Sequence, residues 1–313
     1  MEKPLVSVLM TSYNAEPFIA KAIQSVFDQS YSNWELLILD DVSTDGTRKV
    51  IDSFSSNRIR KIYPDKNIGY VASKNYLLKE FHGEFACFLD ADDWMHRSRI
   101  NVQAGYLIGN PDVGACMCSY IRVQPGGAEV PMHFSDRNQF LNILKHDIRF
   151  PAAGIMFSKK VFQVLGGFNM YFDKLLGDDA YWAFRIAEKF KFYYLNEPLY
   201  YYRANSESIT ANINDIRKFT VLELVQELKR QRLQRGSDWL EEGQYEEALK
   251  YELTFGKNYR WLAEKYRAAA AVRLDYKDRR KAYEFLSRSL KLNPFCLTTY
   301  STVAYLLKRL IRK

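Results

Sequence analysis

The sequence predicts an α/β protein whose mostly parallel sheet is flanked by helices, followed by an all-helical C-terminal region. Short apolar runs alternate with amphipathic helical patterns over the first hundred residues. Polar clusters stand where several of these runs end, and from about residue 214 the sequence becomes helical and basic. Strands and helices that alternate in this order form a parallel sheet, and ligands bind beyond the carboxyl ends of its strands.

Each element of the first hundred residues has its own pattern. Apolar runs of four to eight residues predict the strands, and apolar residues three and four apart, such as Ile19, Ile23 and Val26, predict the first helix. The predicted order is strand 5–11, helix 18–27, strand 35–39, a helix after residue 46, strand 59–63, helix 70–81 and strand 84–89.

Composition limits the class of protein without choosing the function. The chain has 313 residues, a net charge of +8 and a pI of about 9.1, so nucleic acid, anionic lipid and phosphorylated substrates are all permitted partners. The basic residues are dispersed, which disfavours nucleic-acid binding. The four cysteines (Cys87, Cys116, Cys118 and Cys296) form no CxxC pair, which favours a reduced, cytosolic compartment. We expect neither a signal peptide nor a membrane-spanning segment.

Three polar clusters follow predicted strands. They are Thr11-Ser12-Tyr13-Asn14, Asp40-Asp41 and Asp90-Ala91-Asp92-Asp93. In an extended segment Asp90 and Asp92 point the same way and offer two hard oxygen donors, which suit Mg²⁺ or Mn²⁺ completed by water and phosphate. In the alternative interpretation Asp92 or Asp93 only caps a helix that begins near Arg97, which explains one aspartate but not three.

Several ordered motifs between Val6 and Thr210 together resemble family 2 glycosyltransferases, an inverting family with the GT-A fold. The opening segment VSVLMTSYNAEPFIAKAIQSVFDQSYSNWELLILDDVSTDGT resembles the first block of that family, and NIGYVASKN resembles the second. FLDADDW is similar to the DxD block, and GDDAYWAFRIA, followed by PLYYYR, is similar to the acidic block. Each motif alone is weak, but their common order and spacing is specific.

The resemblance implies a nucleotide-sugar site at these strand ends. Thr11, Tyr13 and Asp41 would line the base pocket, where the Asp41 carboxylate accepts a hydrogen bond from the nucleobase imide. Asp90 would contact ribose or metal, and Asp92 would be the principal ligand of Mn²⁺ or Mg²⁺. The complete set of nucleotide-sugar-binding residues is Thr11, Tyr13, Asn14, Asp41, Lys74, Asp90, Ala91 and Asp92. Tyr13 as ordinary core remains the alternative.

The same resemblance places the catalytic carboxylates at Asp178 and Asp179. Asp179 matches the base that takes the proton of the acceptor hydroxyl, and Asp178 matches the acidic residue before it. Two acids in a first helical turn also suit the helix dipole, so capping is the alternative. Lys74 stands where the family commonly has arginine, and a solvated helix face is the alternative for it. Asn205 stands where the family often has histidine.

The predicted domains are a GT-A domain at 1–213 and a helical region at 214–313. Within the first, 1–100 would bind the nucleotide sugar and 101–213 would form the acceptor side. In the second, Ala248 and Ala282 are 34 positions apart, the period of tetratricopeptide repeats, although ordinary hairpin packing is as good an explanation. The segment 300–313 has an apolar face and four cations, typical of an interfacial membrane helix or of a docked last helix.

The predicted function is therefore transfer of a sugar, with inversion, from a nucleotide donor to an acceptor hydroxyl. UDP is the expected nucleotide of the donor. A glycan or lipid-linked oligosaccharide in cell-surface polysaccharide synthesis is the expected acceptor. Such an enzyme would work in the cytoplasm, at the inner face of the membrane if the last helix binds lipid. A sugar nucleotidyltransferase would need a glycine-rich phosphate loop, and TSYNAEPFI has no glycine. A non-catalytic assembly protein with the same fold is the second alternative.

Overall fold

The computed structural model describes residues 3–134, 152–205, 216–275, 278–295 and 297–311. The chain divides into two units, Met1–Arg203 and Ala204–Lys313. The predicted boundary between residues 213 and 214 lies outside the described residues. Cys296 and residues 135–151 of the predicted acceptor side also lie outside them.

The described residues of the first unit contain a nine-stranded sheet. Its strands are β1 (Val6–Ser12), β2 (Trp34–Asp40), β3 (Ile59–Ile62), β4 (Phe85–Phe88), β5 (Trp94–Met95), β6 (Val113–Val123), β7 (Glu129–Met132), β8 (Ile155–Ser158) and β9 (Lys191–Arg203). They lie in the order β3-β2-β1-β4-β8-β6-β9-β5, and β7 pairs with β6. The pairs among β1 to β4 are parallel, as predicted, whereas β8 runs antiparallel to both β4 and β6. The whole sheet is mixed because β5, β7 and β8, which the sequence patterns did not define, run opposite to the other strands.

Six α-helices in the described part of the first unit cover this sheet. They are α1 (Ile19–Phe27), α2 (Thr47–Ser53), α3 (Tyr70–Glu80), α4 (Arg99–Gly109), α5 (Lys159–Leu165) and α6 (Asp178–Lys189). Side chains alternate along each strand, so Val8 and Met10 of β1 join one core cluster while Leu9 joins another on the opposite face. Because both faces are covered, β2 is buried along its whole length. The predicted α/β class with a helical extension is confirmed.

Five helices form the described part of the second unit. They are α7 (Arg217–Arg235), α8 (Tyr245–Gly256), α9 (Tyr259–Asp275), α10 (Arg279–Leu292) and α11 (Leu297–Ile311). Ala248 and Ala282 are fully buried in α8 and α10, each of which is followed by another helix. Val303 of α11 packs against the core, whereas Tyr300 is exposed. The side chains of 305–311 and residues 312–313, which include the four predicted cations, lie outside the description. No described helix is long and apolar enough to cross a bilayer.

Candidate active site

A turn between β4 and β5 carries Asp90, Asp92 and Asp93. Asp90 and Asp92 are half-buried, whereas Asp93 is buried. The Asp93 carboxylate accepts a hydrogen bond from the Tyr200 hydroxyl at 2.6 Å and another from the backbone N–H of Arg203 at 2.7 Å. Asp93 therefore ties the turn to β9 and caps no helix, because α4 begins at residue 99 after a cap position without a side-chain hydrogen bond.

Asp90 has a carboxylate without a close cationic partner among the described residues. Neither a hydrogen bond nor an ion pair reaches this carboxylate from the residues that the structure describes. Burial raises the pKa of Asp90 to about 6, and the negative charges of Asp92 and Asp179 add to the rise while Lys74 opposes it. A divalent cation would relieve this repulsion, and carboxylate oxygens are the ligands that Mg²⁺ and Mn²⁺ prefer.

The protein ligands alone do not complete a metal site. No three His, Cys, Asp or Glu side chains converge in a ligand geometry anywhere in the described ranges. Mg²⁺ is commonly bound through one or two carboxylates, with phosphate oxygens and water filling the other positions. Asp90 and Asp92 therefore fit a cation that arrives with, or is completed by, a diphosphate.

Lys74 joins the two carboxylates at the start of α6. Its ammonium group lies 3.2 Å from Asp178 Oδ2 and 2.9 Å from Asp179 Oδ1. The Tyr70 hydroxyl lies 2.6 Å from Asp178 Oδ1. Burial alone would lower the pKa of Lys74, but the charges of Asp178, Asp179 and Asp90 outweigh burial and raise that pKa. Lys74 is a buried cation and does not lie on a solvated helix face.

Asp178 and Asp179 differ in exposure although they are neighbours. The Asp178 side chain is 6% exposed and the Asp179 side chain is 37% exposed. Both Asp178 oxygens have close partners, namely Tyr70 and Lys74. Burial raises the pKa of Asp178 to about 7, and the charge of Asp179 adds to the rise. Asp179 is consequently the carboxylate of this pair that a substrate can reach.

A small cavity brings the predicted metal segment and the predicted base together. Asp90, Lys74 and Asp179 supply its charged groups. Its apolar walls are Phe88, Ala153, Ile155, Phe168 and Trp182. In this environment of low polarity, charged groups interact more strongly than they do in water.

Thr11, Tyr13 and Asn14 lie in a second group at the ends of β1 and β2. Asn14 has a positive φ of 49°, and its side-chain oxygen accepts a hydrogen bond from Thr44 N at 2.8 Å. This bond fixes the loop after β1 against the loop after β2. Tyr13 is 55% exposed, so the alternative that it is ordinary core is wrong. An exposed aromatic ring at a strand end is available for stacking on a ligand.

Asp41 connects this second group to the cavity. Its two carboxylate oxygens accept hydrogen bonds from Ile68 N at 2.7 Å and Gly69 N at 2.9 Å. Gly69 precedes α3 with a φ of 88°, and a Cβ there would lie 2.7 Å from Asp173 Oδ1. Asp41 thus fixes the start of the helix that carries Lys74, and each of its oxygens retains a second lone pair for a ligand.

The structure changes the predicted set of site residues in two ways: one predicted residue has a buried side chain, and two residues without a predicted role contact the site. Ala91 is buried in the hydrophobic core, so only its backbone can face a nucleotide. Tyr70 stands in the quoted NIGYVASKN block, but the sequence prediction gave it no role. Arg203 stands in the quoted PLYYYR block, and its Nε donates to Asp92 O at 2.8 Å. The guanidinium of Arg203 also lies 4.8 Å from the Trp94 ring.

Comparisons with known proteins identify the family to which this chain belongs. The family described as "Glycosyl transferase family 2" matches residues 7–176. The chain is 29% identical to the putative teichuronic acid biosynthesis glycosyltransferase TuaG of Bacillus subtilis. The 214 matched residues cover 67% of this chain and 83% of TuaG. It is 40% identical over 110 residues to the Escherichia coli UDP-Glc:alpha-D-GlcNAc-diphosphoundecaprenol beta-1,3-glucosyltransferase WfgD, covering 35% of this chain and 44% of WfgD.

Among solved structures, residues 1–349 of S. aureus TarS in complex with UDP share the fold. The TM-score is 0.59 at 17% identity, covering 90% of this chain and 88% of that chain. The predicted GT-A fold and family are confirmed, and this chain belongs to glycosyl transferase family 2 and is a glycosyltransferase.

Proposed function

We propose that this glycosyltransferase is metal-dependent and inverting, and that it uses a nucleoside diphosphate sugar. The observation that carries the proposal is the convergence of Asp90, Lys74 and Asp179 on one cavity. An inverting transfer needs a carboxylate to accept a proton and positive charge to stabilise a departing diphosphate. This cavity contains a reachable carboxylate, a buried ammonium group and a carboxylate suited to a cation.

Asp179 is the general base in this proposal. The acceptor oxygen forms a bond to the anomeric carbon, the hydroxyl proton passes to an Asp179 oxygen, and the bond to the diphosphate breaks with its electron pair on the diphosphate. Asp178 is a positioning residue, because both of its oxygens are occupied and its side chain is buried. Lys74 donates to Asp179 Oδ1 and so orients the carboxylate that is proposed to take the acceptor proton.

Asp90 and Asp92 would hold Mn²⁺ or Mg²⁺ in the proposed donor complex. When bound, the cation acts as a Lewis acid that neutralises the charge growing on the diphosphate. The backbone of Asp92 is positioned by Arg203, and Asp93 anchors the turn to β9.

UDP is the proposed nucleotide. Asp41 offers acceptor oxygens to an imide N–H, and the exposed Tyr13 ring offers a stacking surface. Thr11 and Asn14 would shape the same pocket, with Asn14 fixing its two loops. Support for UDP also comes from the name of WfgD and from the UDP bound to TarS.

The proposed acceptor is a hydroxyl of a glycan or lipid-linked oligosaccharide used for cell-surface polysaccharide. The name of TuaG records teichuronic acid biosynthesis, and that of WfgD records an undecaprenol diphosphate acceptor. Such an acceptor would be met at the cytoplasmic face of the membrane, where the cationic end of α11 is proposed to bind anionic lipid.

A thermal-stability screen of nucleotide sugars, each with Mn²⁺ and with EDTA, tests the proposal. The expected result is a rise in unfolding temperature with one or more UDP-sugars that requires the metal, because ligands that bind only the folded state stabilise it. Stabilisation that is the same in EDTA would contradict the metal role. No response to any nucleotide sugar would contradict the donor class.

A further inference from the structure

Arg99, the first residue of α4, is a buried cation behind the metal segment. It is fully buried, and no carboxylate lies within ion-pair distance of its guanidinium among the residues described. An arginine cannot lose its charge in a protein, so burying it without an anion is costly. A side chain of this cost calls for a role that an apolar residue of similar size could not fill.

The contacts of Arg99 lead to two neighbouring parts of the cavity wall, the end of β4 and the start of β8. Its Nη1 donates to Phe88 O at 3.2 Å, two residues before Asp90. Its Nη2 donates to Ala153 O at 2.6 Å and lies 3.4 Å from Ile155 O. Phe88, Ala153 and Ile155 all line the cavity. One planar guanidinium therefore links the strand that leads into the metal segment with the neighbouring strand β8 and the residues just before it.

Two further contacts extend this link. The Arg99 Nε donates to Gln103 Oε1 at 3.0 Å, and Gln103 Nε2 donates to Gly154 O at 2.9 Å. The guanidinium also lies 5.0 Å from the ring centre of Tyr200, whose hydroxyl holds Asp93. Arg99 is thus connected to both ends of the turn that carries Asp90 and Asp92.

We propose that Arg99 is a positioning residue that sets the geometry of the Asp90–Asp92 metal site from beneath, by fixing the end of β4 against residues 153–155. The inference rests on the proposed function, because it assumes that Asp90 and Asp92 hold the metal. A lysine could keep the charge but has no planar fork to reach several carbonyl oxygens together. Loss of such supporting contacts typically reduces metal affinity by roughly 10–100-fold.

The test is the ratio of the UDP dissociation constant in EDTA to that in Mn²⁺, measured by calorimetry on the folded full chain. In Arg99→Lys this ratio should fall by about tenfold or more. The matched control is Arg273→Lys, which alters another buried arginine, one that faces Asp278 at 3.5 Å. The control should retain the wild-type ratio even if it unfolds at a lower temperature.

The outcomes separate the two claims. A folded Arg99→Lys protein with the wild-type ratio overturns the role of Arg99. If that variant does not fold, Gln103→Leu decides by the same criterion, with a smaller fall expected because the guanidinium keeps its contacts to Phe88 and Ala153. A wild-type protein whose UDP affinity is the same in EDTA and Mn²⁺ overturns the proposed metal function, and the inference with it.

Discussion

The two units bury charge in opposite ways. In the described part of the first unit the buried acids are Glu35, Asp40, Asp41, Asp93 and Asp178, and the buried cations are Lys74 and Arg99. In the described part of the second unit the buried acids are Glu227, Asp238 and Glu252, and the buried cations are Lys218, Lys229, Arg232 and Arg273. Acids exceed cations only in the first unit.

The partners of these acids differ as well. In the second unit Asp238 faces Arg232 at 3.0 Å and Glu252 faces Arg217 at 2.8 Å. In the first unit Asp41 accepts from backbone N–H groups and Asp93 from a tyrosine hydroxyl and a backbone N–H. Neutral donors hold a carboxylate in place without cancelling its charge. The second unit therefore pairs these buried acids with cations of its own, as the first unit does for Asp178 with Lys74, whereas neutral donors hold Asp41 and Asp93.

The largest expected effect separates chemistry from stability in the first unit. Asp179→Asn keeps the size of the side chain but cannot accept a proton, so transfer should fall by roughly 10²–10⁴-fold. UDP affinity measured by calorimetry should remain close to that of the wild type. The exposed Glu247→Gln in α8 is the control and should transfer normally. Equal losses of UDP binding and rate would indicate that Asp179 is structural.

The reverse result is expected in the second unit. Arg232→Leu removes the cation that Asp238 and Glu241 share, and loss of one partner from a buried ion pair costs about 3–5 kcal/mol. Urea unfolding should show this loss in the free energy of unfolding. Transfer by the protein that remains folded should stay near the wild-type rate, and a rate defect without a stability defect would break the contrast between the units.

A smaller effect concerns pH and Asp178. Its pKa of about 7 in the folded protein exceeds the value of about 3.9 for an unperturbed aspartate. The folded state therefore binds a proton that the unfolded state releases, and the free energy of unfolding should decrease as pH rises from about 4 to about 7. Asp178→Asn should flatten this decrease by about 1.4 kcal/mol for each unit of pKa difference.

Urea unfolding at a series of pH values measures this dependence. Asp65→Asn, which replaces an exposed acid, is the control and should leave the curve unchanged. An equally steep curve in Asp178→Asn would show that the buried charge at this position does not oppose folding.

The smallest expected effect concerns α11. Truncation after Thr299 removes Val303, which packs against the core, whereas truncation after Ala304 spares it and still removes four cations. Each Lys or Arg near an anionic bilayer contributes about 1 kcal/mol, so both truncations should release the protein from anionic liposomes in a sedimentation assay. Only the shorter protein should also lose stability. Continued sedimentation of both would contradict membrane binding.

Local patterns in the sequence predicted most of the parallel half of the sheet. The strand predicted at 35–39 is β2, and the helix predicted at 70–81 is α3 at Tyr70–Glu80. The spacing of apolar residues predicts such elements because each element buries at least one face. The antiparallel pairing of β8 was not predictable in this way, because pairing between distant strands leaves no local pattern.

The sequence identified the candidate site residues themselves, but it did not predict which residues would form ion pairs or hydrogen bonds with them. Asp90, Asp178 and Asp179 stand in recognisable motifs. The ion pairs of Lys74 with Asp178 and Asp179 join residues 104 and 105 positions apart, and no spacing rule predicts them. Arg99 is a charged residue that patterning would place on the surface, and only the fold shows that its donors meet three carbonyl oxygens.

The central claim is that Asp92 serves the metal and donor while Asp179 serves the acceptor. Calorimetric titration of UDP with Mn²⁺ into the wild type, Asp92→Asn and Asp179→Asn tests it most directly. The account predicts that Asp92→Asn reduces UDP affinity to the level that the wild type shows in EDTA, whereas Asp179→Asn binds like the wild type. Unchanged binding by Asp92→Asn, or equal loss in both variants, would contradict the account.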